Sequence, residues 1–253
     1  MNVCFNGCSF TVGKGFPKSL RDTYIYDRLV AKELQFESRT NIAEAGSSNY
    51  RIFLRSAQAI MSKQFDVVFT QWSELNRLWF HPGPDCSFFV NDGNADFKYR
   101  EIYLSPKKKD EFRDTVIMLN HDYQNIIELV EYCKILDQLS VVNGVKSFYI
   151  NGLLPWKQDL FSSESVPSGP LGPMLSEYTK FMLDFNHRDD AEISSFFIKL
   201  KNKVKAIDQS KWVNLCNSMA ESIIDLGPEG HHPGVKSNEA LAQHIVNFLK
   251  GKI

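Results

Sequence analysis

Three starts of a strand-turn-helix pattern follow one another within the first seventy or so residues. The predicted strand runs lie near 3–5, 38–43 and 65–69, and helical patterns follow the first two of them, over 17–34 and from the second turn to about Lys63. A nearly continuous apolar strand is typical of a parallel sheet covered on both faces. Because a helix separates each run from the next, the order predicts parallel strands joined by crossovers.

The rest of the chain continues this alternation with two interruptions. Helical patterns cover 111–139, 174–184, 191–207, 211–220 and 237–250, a fourth strand is predicted over 145–150, and residues 223–224 are a short last strand at best. Periodicity is lost near 81–109 and 153–173, which we interpret as irregular insertions. We therefore predict a single domain over 1–253, with a three-layer α/β/α, flavodoxin-like doubly wound parallel sheet.

Composition argues against several classes of protein. The net charge is −1, with 29 basic and 30 acidic residues, so neither nucleic acid nor an anionic membrane is an expected partner. The five cysteines are scattered without metal-ligand spacing, which is typical of reduced thiols. There is no basic leader and no run of about 18 apolar residues. We predict a cytoplasmic protein that acts on a small molecule, and the sequence leaves its oligomeric state open.

Ser9 follows the first apolar run, in the turn Asn6-Gly7-Cys8-Ser9. A serine after a small residue at the carboxyl edge of a strand is how α/β enzymes present a nucleophile. The structural alternative is a serine that only caps the following backbone. Cys8 is a rival nucleophile, but we expect its side chain to point away from that of Ser9 and into the core.

A loop near the other end, Glu229-Gly230-His231-His232-Pro233, carries a candidate base and acid. An imidazole can take the proton of a serine hydroxyl, and a carboxylate can fix the tautomer of that imidazole. Each residue also has a structural alternative: His232 as an ordinary loop histidine, and Glu229 as an acid that favours the amino end of the next helix. His231 is a rival base.

With these motifs in this order, the chain resembles the SGNH (GDSL-like) hydrolase superfamily. Gly7-Cys8-Ser9-Phe10 is similar to the first block of that family, with Cys8 in place of the usual aspartate, and 229–233 is similar to the last block, with glutamate in place of aspartate. The resemblance implies that Ser9 is the nucleophile, that His232, directly before the proline, is the base, and that Glu229 is the acid. It also implies a reaction that needs no metal and no cofactor.

The resemblance further implies an oxyanion hole. Gly46 fits the glycine of the second block, whose backbone N–H would act beside that of Ser9. The third block differs, because the family has Gly-x-Asn-Asp where this chain has Gln71-Trp72-Ser73-Glu74. Ser73 stands where the family has its asparagine, and Asn76 lies three residues further on, so either could supply a donor.

Three residues near these blocks are predicted to contact the substrate. Asn49 lies just after the Gly46 turn, and Arg77 lies close to the tip of the third strand, where it could bind a carboxylate. The aromatic face of Trp72 could hold an acyl chain or stack on a sugar, although plugging of a long loop is an equally ordinary role.

These observations predict a serine esterase or deacylase. It would hydrolyse an ester or O-acetyl group of a small substrate, a carbohydrate-linked one among the options, through an acyl-enzyme. Two alternatives stay open: an acyltransferase that uses the same Ser-His-acid site, and a noncatalytic binding protein of the same fold. The altered third block permits the second alternative, because it puts the full oxyanion hole in doubt.

Overall fold

A computed structural model describes residues 1–73, 77–80, 100–103, 122–152, 208–213, 219–220, 222–230 and 232–253. For 77–80, 100–103 and 122–126 it describes the backbone alone. The predicted irregular stretch 153–173, the helical patterns 174–184 and 191–207, and most of 81–109 lie outside these residues. Within the described helices, none is long and apolar enough to cross a membrane.

In the described part of the chain, the central sheet has four parallel strands in the order β2-β1-β3-β6. Their bounds are Asn2–Asn6 for β1, Ser38–Asn41 for β2, Val67–Trp72 for β3 and Lys146–Asn151 for β6. The chain starts in β1, adds β2 on one side, and then crosses to β3 on the other side. Because these strands are parallel, the carboxyl ends of β1, β2 and β3 lie at one edge of the sheet, and the reversal in strand order marks the place at that edge where doubly wound folds bind their ligands.

Helices cover both faces of this sheet. Their bounds are Ser9–Val12 (α1), Lys18–Tyr24 (α2), Tyr26–Glu33 (α3), Asn49–Met61 (α4), Asp122–Asn143 (α5) and Val235–Leu249 (α6). Helix α3 packs beside α6 on one face, and α4 packs beside α5 on the other. The fold class predicted from the sequence, a three-layer α/β/α doubly wound sheet, is therefore confirmed.

A row of phenylalanines crosses the face that α3 and α6 cover. Phe5, Phe69 and Phe148 are neighbours in register, and their ring centroids lie 4.8 and 5.5 Å apart. Tyr26 of α3 meets Phe5 edge-on at 6.0 Å, and Phe248 of α6 meets Phe148 edge-on at 5.8 Å. Aromatic contacts at these separations are favourable beyond the area that they bury, and they attach both helices to the sheet.

Several predicted elements differ from the structure. The helical pattern 17–34 is broken at Ile25, whose extended backbone (φ −69°, ψ 138°) separates α2 from α3. A helix is predicted over 211–220, but at the start of this range a short 3-10 helix (Gln209–Lys211) precedes Trp212, which forms a parallel bridge with Tyr149 beyond the edge of β6. Residues 214–218 of this predicted helix lie outside the described part of the chain. Residues 223–224 form no strand. Part of the predicted insertion 81–109 is regular, because Arg100–Tyr103 (β5) pairs antiparallel with Arg77–Phe80 (β4).

Candidate active site

Ser9 is the first residue of α1 and lies directly beyond β1. The backbone of Cys8 is extended (φ −101°, ψ −156°), and its C=O accepts the N–H groups of Thr11 and Val12 at 3.1 Å each. The chain thus turns from strand to helix in two residues, at the carboxyl edge of the sheet. Ser9 is largely buried, and no described residue hydrogen-bonds to its hydroxyl.

Gln71 supports this turn from β3. Its side chain is fully buried, and its Oε1 accepts the N–H of Cys8 at 3.0 Å and the hydroxyl of Thr11 at 2.9 Å. The Cys8 thiol also points at this oxygen, at 3.2 Å. The expectation that Cys8 faces the core is confirmed.

Residues 225–230 and 232–234 belong to a loop that is closed by its own backbone. Leu226 and Pro233 make an antiparallel bridge, and the Gly227 N–H donates to the His232 C=O at 2.8 Å. Gly230, at φ +79°, makes the turn in a region that favours glycine. Within this loop, Glu229 Oε1 contacts His232 Nδ1, so acid and imidazole lie side by side and Nε2 is the remaining ring nitrogen.

Asp225 attaches this loop to the start of α6. Its Oδ1 accepts the N–H of Ser237 at 2.8 Å and the Ser237 hydroxyl at 2.7 Å, and Oδ2 accepts the Lys236 N–H at 3.2 Å. Burial acts to raise the pKa of Asp225, but the hydrogen bonds from Ser237 and Lys236 outweigh it and hold this pKa below its ordinary value. The carboxylate form therefore stabilises the base of the loop.

The loop that carries His232 rests on the segment that carries Ser9. The rings of Phe10 and His232 meet edge-on, with centroids 5.7 Å apart. Glu229 lies against Gly15, whose φ of +94° and missing side chain leave room for the carboxylate. Ser9 and His232 are not joined by a hydrogen bond, so their functional contact stays a prediction.

The second predicted block lies beside the first. The N–H of Glu44 donates to the Gly7 C=O at 3.1 Å, which holds the end of β2 against the Ser9 turn. Gly46 follows with φ +87°, a left-handed conformation that explains the glycine. The Ser48 hydroxyl then accepts the Arg51 N–H at 3.4 Å and caps α4.

Asn49 and Ser73 form one unit across this edge. Asn49 Oδ1 accepts the Ser73 N–H at 2.7 Å, and Asn49 Nδ2 lies 3.5 Å from the Ser73 C=O. These contacts hold the Ser73 backbone, while its buried hydroxyl has no hydrogen-bond partner in the described part of the chain. Asn49 therefore fixes the position of the Ser73 backbone, while a contact between Asn49 and the substrate stays a prediction.

The other predicted residues of the third block are placed differently. Trp72 is the last residue of β3, is 1% exposed, and lies 6.1 Å from the ring of Tyr149. This core position corrects its assignment to an irregular loop and leaves almost no indole surface for a substrate. Asn76 lies outside the described residues. Arg77 begins β4, and only its backbone is described.

Three residues that build this site were not predicted from the sequence: Gln71, Gly15 and Asp225. Gln71 did leave a signal, because it is a polar residue next to an apolar strand. Gly15 left none, because its role depends on a contact with Glu229, more than two hundred residues away, and Asp225 left none, because its role depends on how the loop turns back onto the start of α6. Among the described residues, no group of three or more His, Cys, Asp or Glu side chains is placed to hold a metal ion.

No protein-family model matches the sequence, and no curated protein matches it. Solved structures do match. TesA has a TM-score of 0.49 and 11% identity, with all of both chains covered. A putative lipolytic protein of the G-D-S-L family from Desulfitobacterium hafniense has a TM-score of 0.46 and 12% identity, covering 98% of this chain and 99% of that one. The acetylxylan esterase Axe2 from Geobacillus stearothermophilus, solved as a catalytic mutant, has a TM-score of 0.47 and 12% identity, covering 98% and 93%.

Proposed function

We propose that this protein is a serine esterase that cleaves an ester or O-acetyl bond of a small acylated molecule. The observation that carries the proposal is the contact between two motif-bearing segments, made by Phe10 with His232 and by Gly15 with Glu229. Segments more than two hundred residues apart in sequence thus bring a serine turn to a histidine-carboxylate pair. Serine, imidazole and carboxylate are the three groups that acyl transfer through an acyl-enzyme requires.

In the proposed mechanism, Ser9 Oγ attacks the acyl carbon and its proton passes to His232 Nε2. Glu229, in contact with Nδ1, fixes the tautomer and stabilises the imidazolium. The developing oxyanion would accept hydrogen bonds from the N–H groups of Ser9 and Gly46, with the Ser73 hydroxyl as a third donor. The imidazolium then protonates the leaving alcohol, and water, activated by the same base, releases the acid.

The missing Ser9–His232 hydrogen bond is compatible with this mechanism. Catalytic hydrogen bonds are often long in unliganded sites and shorten in the substrate complex. Within the loop, Glu229 Oε1 already contacts Nδ1, so bond formation would require only that the imidazole and the Ser9 hydroxyl come closer together.

Hydrolysis of p-nitrophenyl acetate tests the proposal. Wild-type protein should release nitrophenol, and Ser9→Ala should lower kcat by about 10³-fold or more. Ser62→Ala is the matched control, because Ser62 is an exposed serine at the end of α4 whose hydroxyl donates to the Ala59 C=O and accepts the Gln64 N–H, away from the candidate site. A fluorophosphonate should label wild type and Ser62→Ala at Ser9, and leave Ser9→Ala unlabelled. Equal turnover by wild type and Ser9→Ala would refute the proposal.

Acyl transfer is separated from hydrolysis in the same assay. Adding alcohols or sugars diverts an acyl-enzyme to a transfer product if a second substrate can bind and exclude water. An esterase should give acetate alone. A noncatalytic protein of the same fold would give neither product and no labelled serine.

A further inference from the structure

A buried chain of hydrogen bonds leads away from the Ser9 turn. The Cys8 N–H donates to Gln71 Oε1 at 3.0 Å, and the Thr11 hydroxyl lies 2.9 Å from the same oxygen. The Thr11 hydroxyl is also 2.8 Å from the Tyr26 hydroxyl. Thr11, Tyr26 and Gln71 are all fully buried, so each of these groups depends on the next for its hydrogen bond.

The same chain continues to the loop that carries His232. The backbone N–H of Tyr26 donates to Asn238 Oδ1 at 3.1 Å. Asn238 Nδ2 donates in turn to the C=O of Gly234 at 2.9 Å and lies 3.3 Å from that of Pro233. Pro233 directly follows His232. Gln71, Thr11, Tyr26 and Asn238, which we call the buried bridge, thus join the two halves of the candidate site.

The donors and acceptors of the buried bridge have one consistent direction. Gln71 Oε1 can only accept, so the Thr11 O–H donates to it. The Thr11 oxygen is then the acceptor for Tyr26, whose O–H is the donor. Burial raises the pKa of Tyr26 far above its ordinary value, so this hydroxyl keeps its proton near neutral pH.

We propose that the buried bridge sets the position of the Ser9 turn relative to the His232 loop, with Tyr26 and Asn238 as positioning residues. The edge contact of Phe10 with His232 is apolar and tolerates sliding, whereas hydrogen bonds have preferred directions. Neither Tyr26 nor Asn238 is assigned to the reacting atoms. The catalytic consequence rests on the proposed function, since a small misplacement of a base costs rate without weakening substrate binding.

Kinetics of Tyr26→Phe, Asn238→Ala and the double variant test the proposal. Each single change should lower kcat about tenfold, with KM within about twofold and no change in the pH profile. The double variant should be no slower than the slower single variant, because both changes break one bridge. Thr11→Val replaces Asn238→Ala in this cycle if the latter does not fold.

Tyr149→Phe is the matched control. Tyr149 is also fully buried, and its hydroxyl donates to Asp137 at 2.8 Å and lies 3.2 Å from the Cys133 C=O, away from the buried bridge. The Tyr149→Phe variant should lose about as much stability as Tyr26→Phe, but its kcat should be unchanged. Equal kcat for Tyr26→Phe and Tyr149→Phe, or effects of Tyr26→Phe and Asn238→Ala that simply multiply, would overturn the proposal.

Amide hydrogen exchange separates this proposal from the proposed function. In Asn238→Ala, a change made on the His232 side, the Cys8 N–H on the Ser9 side should exchange about tenfold faster than in wild type. In Tyr149→Phe it should exchange at the wild-type rate. If wild type neither hydrolyses esters nor labels at Ser9, the esterase proposal fails, and exchange at Cys8 alone decides on the buried bridge. An unchanged Cys8 amide in Asn238→Ala would refute it.

Discussion

The carboxylate of Glu229 fills the space that a side chain at Gly15 would need, since a Cβ there would lie 2.5 Å from Glu229 Oε1. Real Cβ atoms essentially never come so close to an oxygen. Gly15 also has φ +94°, where an L-residue is strained. The absence of a side chain at Gly15 therefore leaves room for the Glu229 carboxylate, although Gly15 lies outside both sequence motifs.

Gly15→Ala should displace Glu229 and lower kcat about tenfold or more, because the imidazole loses the group that fixes its tautomer. The change is measured with p-nitrophenyl acetate beside Gly144→Ala. Gly144 has a similar φ of +68°, but a Cβ there would meet nothing within 4 Å. Both variants should lose stability from backbone strain. Comparable kcat values for the two would show that the Glu229 position does not matter.

Ser73→Ala should lower kcat by up to about 100-fold if the Ser73 hydroxyl donates to the oxyanion. Thermal stability should hardly change, because the buried hydroxyl has no partner among the described residues to lose. Ser140→Ala is the control, since its hydroxyl is also buried and without a partner in the described part of the chain, but lies on α5. A wild-type kcat for Ser73→Ala would show that the Ser73 hydroxyl is not the third donor to the oxyanion.

Trp72→Phe should lower the free energy of unfolding by about 1–3 kcal/mol and leave KM within twofold. The reason is that the indole packs on Tyr149 in the core and is almost fully buried. Urea unfolding and initial-rate kinetics on the same samples give both quantities. A KM raised severalfold at unchanged stability would instead support the substrate contact expected from the sequence.

Asp225 should make the protein less stable in acid. Its pKa is lower in the folded state, so the stability that its carboxylate adds is present above the unfolded pKa and is lost as pH falls through the folded one. Asp225→Asn should therefore have a lower Tm than wild type near neutral pH, and the two Tm values should converge below the ordinary aspartate range. A Tm difference that stays constant with pH would contradict this assignment.

Three strands of the sheet, β1, β3 and β6, are largely buried, and their apolar runs are therefore visible in the sequence, whereas the edge strand β2 is more exposed. Burial of β3 on both sides requires the apolar run that starts it, and the tips of β1, β2 and β3 follow from the crossover rule. The end of β3 could not be predicted, because Gln71 looks like the start of a loop. Its polar side chain is tolerated in the strand only because Cys8 and Thr11, some sixty residues away, donate to it.

The residues of the candidate site, too, could be predicted from the sequence only in part. Ser9, Glu229 and His232 stand in short motifs whose spacing is visible in the sequence. Tyr26 and Asn238 carry no such signal, because their hydrogen bond joins residues 212 positions apart. The break at Ile25, which starts α3 at Tyr26 and so sets this bond, is marked by neither proline nor glycine.

The loop that carries Glu229 and His232 is closed by contacts within its own backbone. Since the Leu226–Pro233 bridge and the Gly227–His232 hydrogen bond lie within the loop, Glu229 and His232 would travel together if the loop moved. Opening would then lengthen the path from serine to imidazole while the imidazole kept its carboxylate. The acid-base pair would then stay intact while the loop moved, and a short translation of the loop would be enough to return the imidazole to the serine.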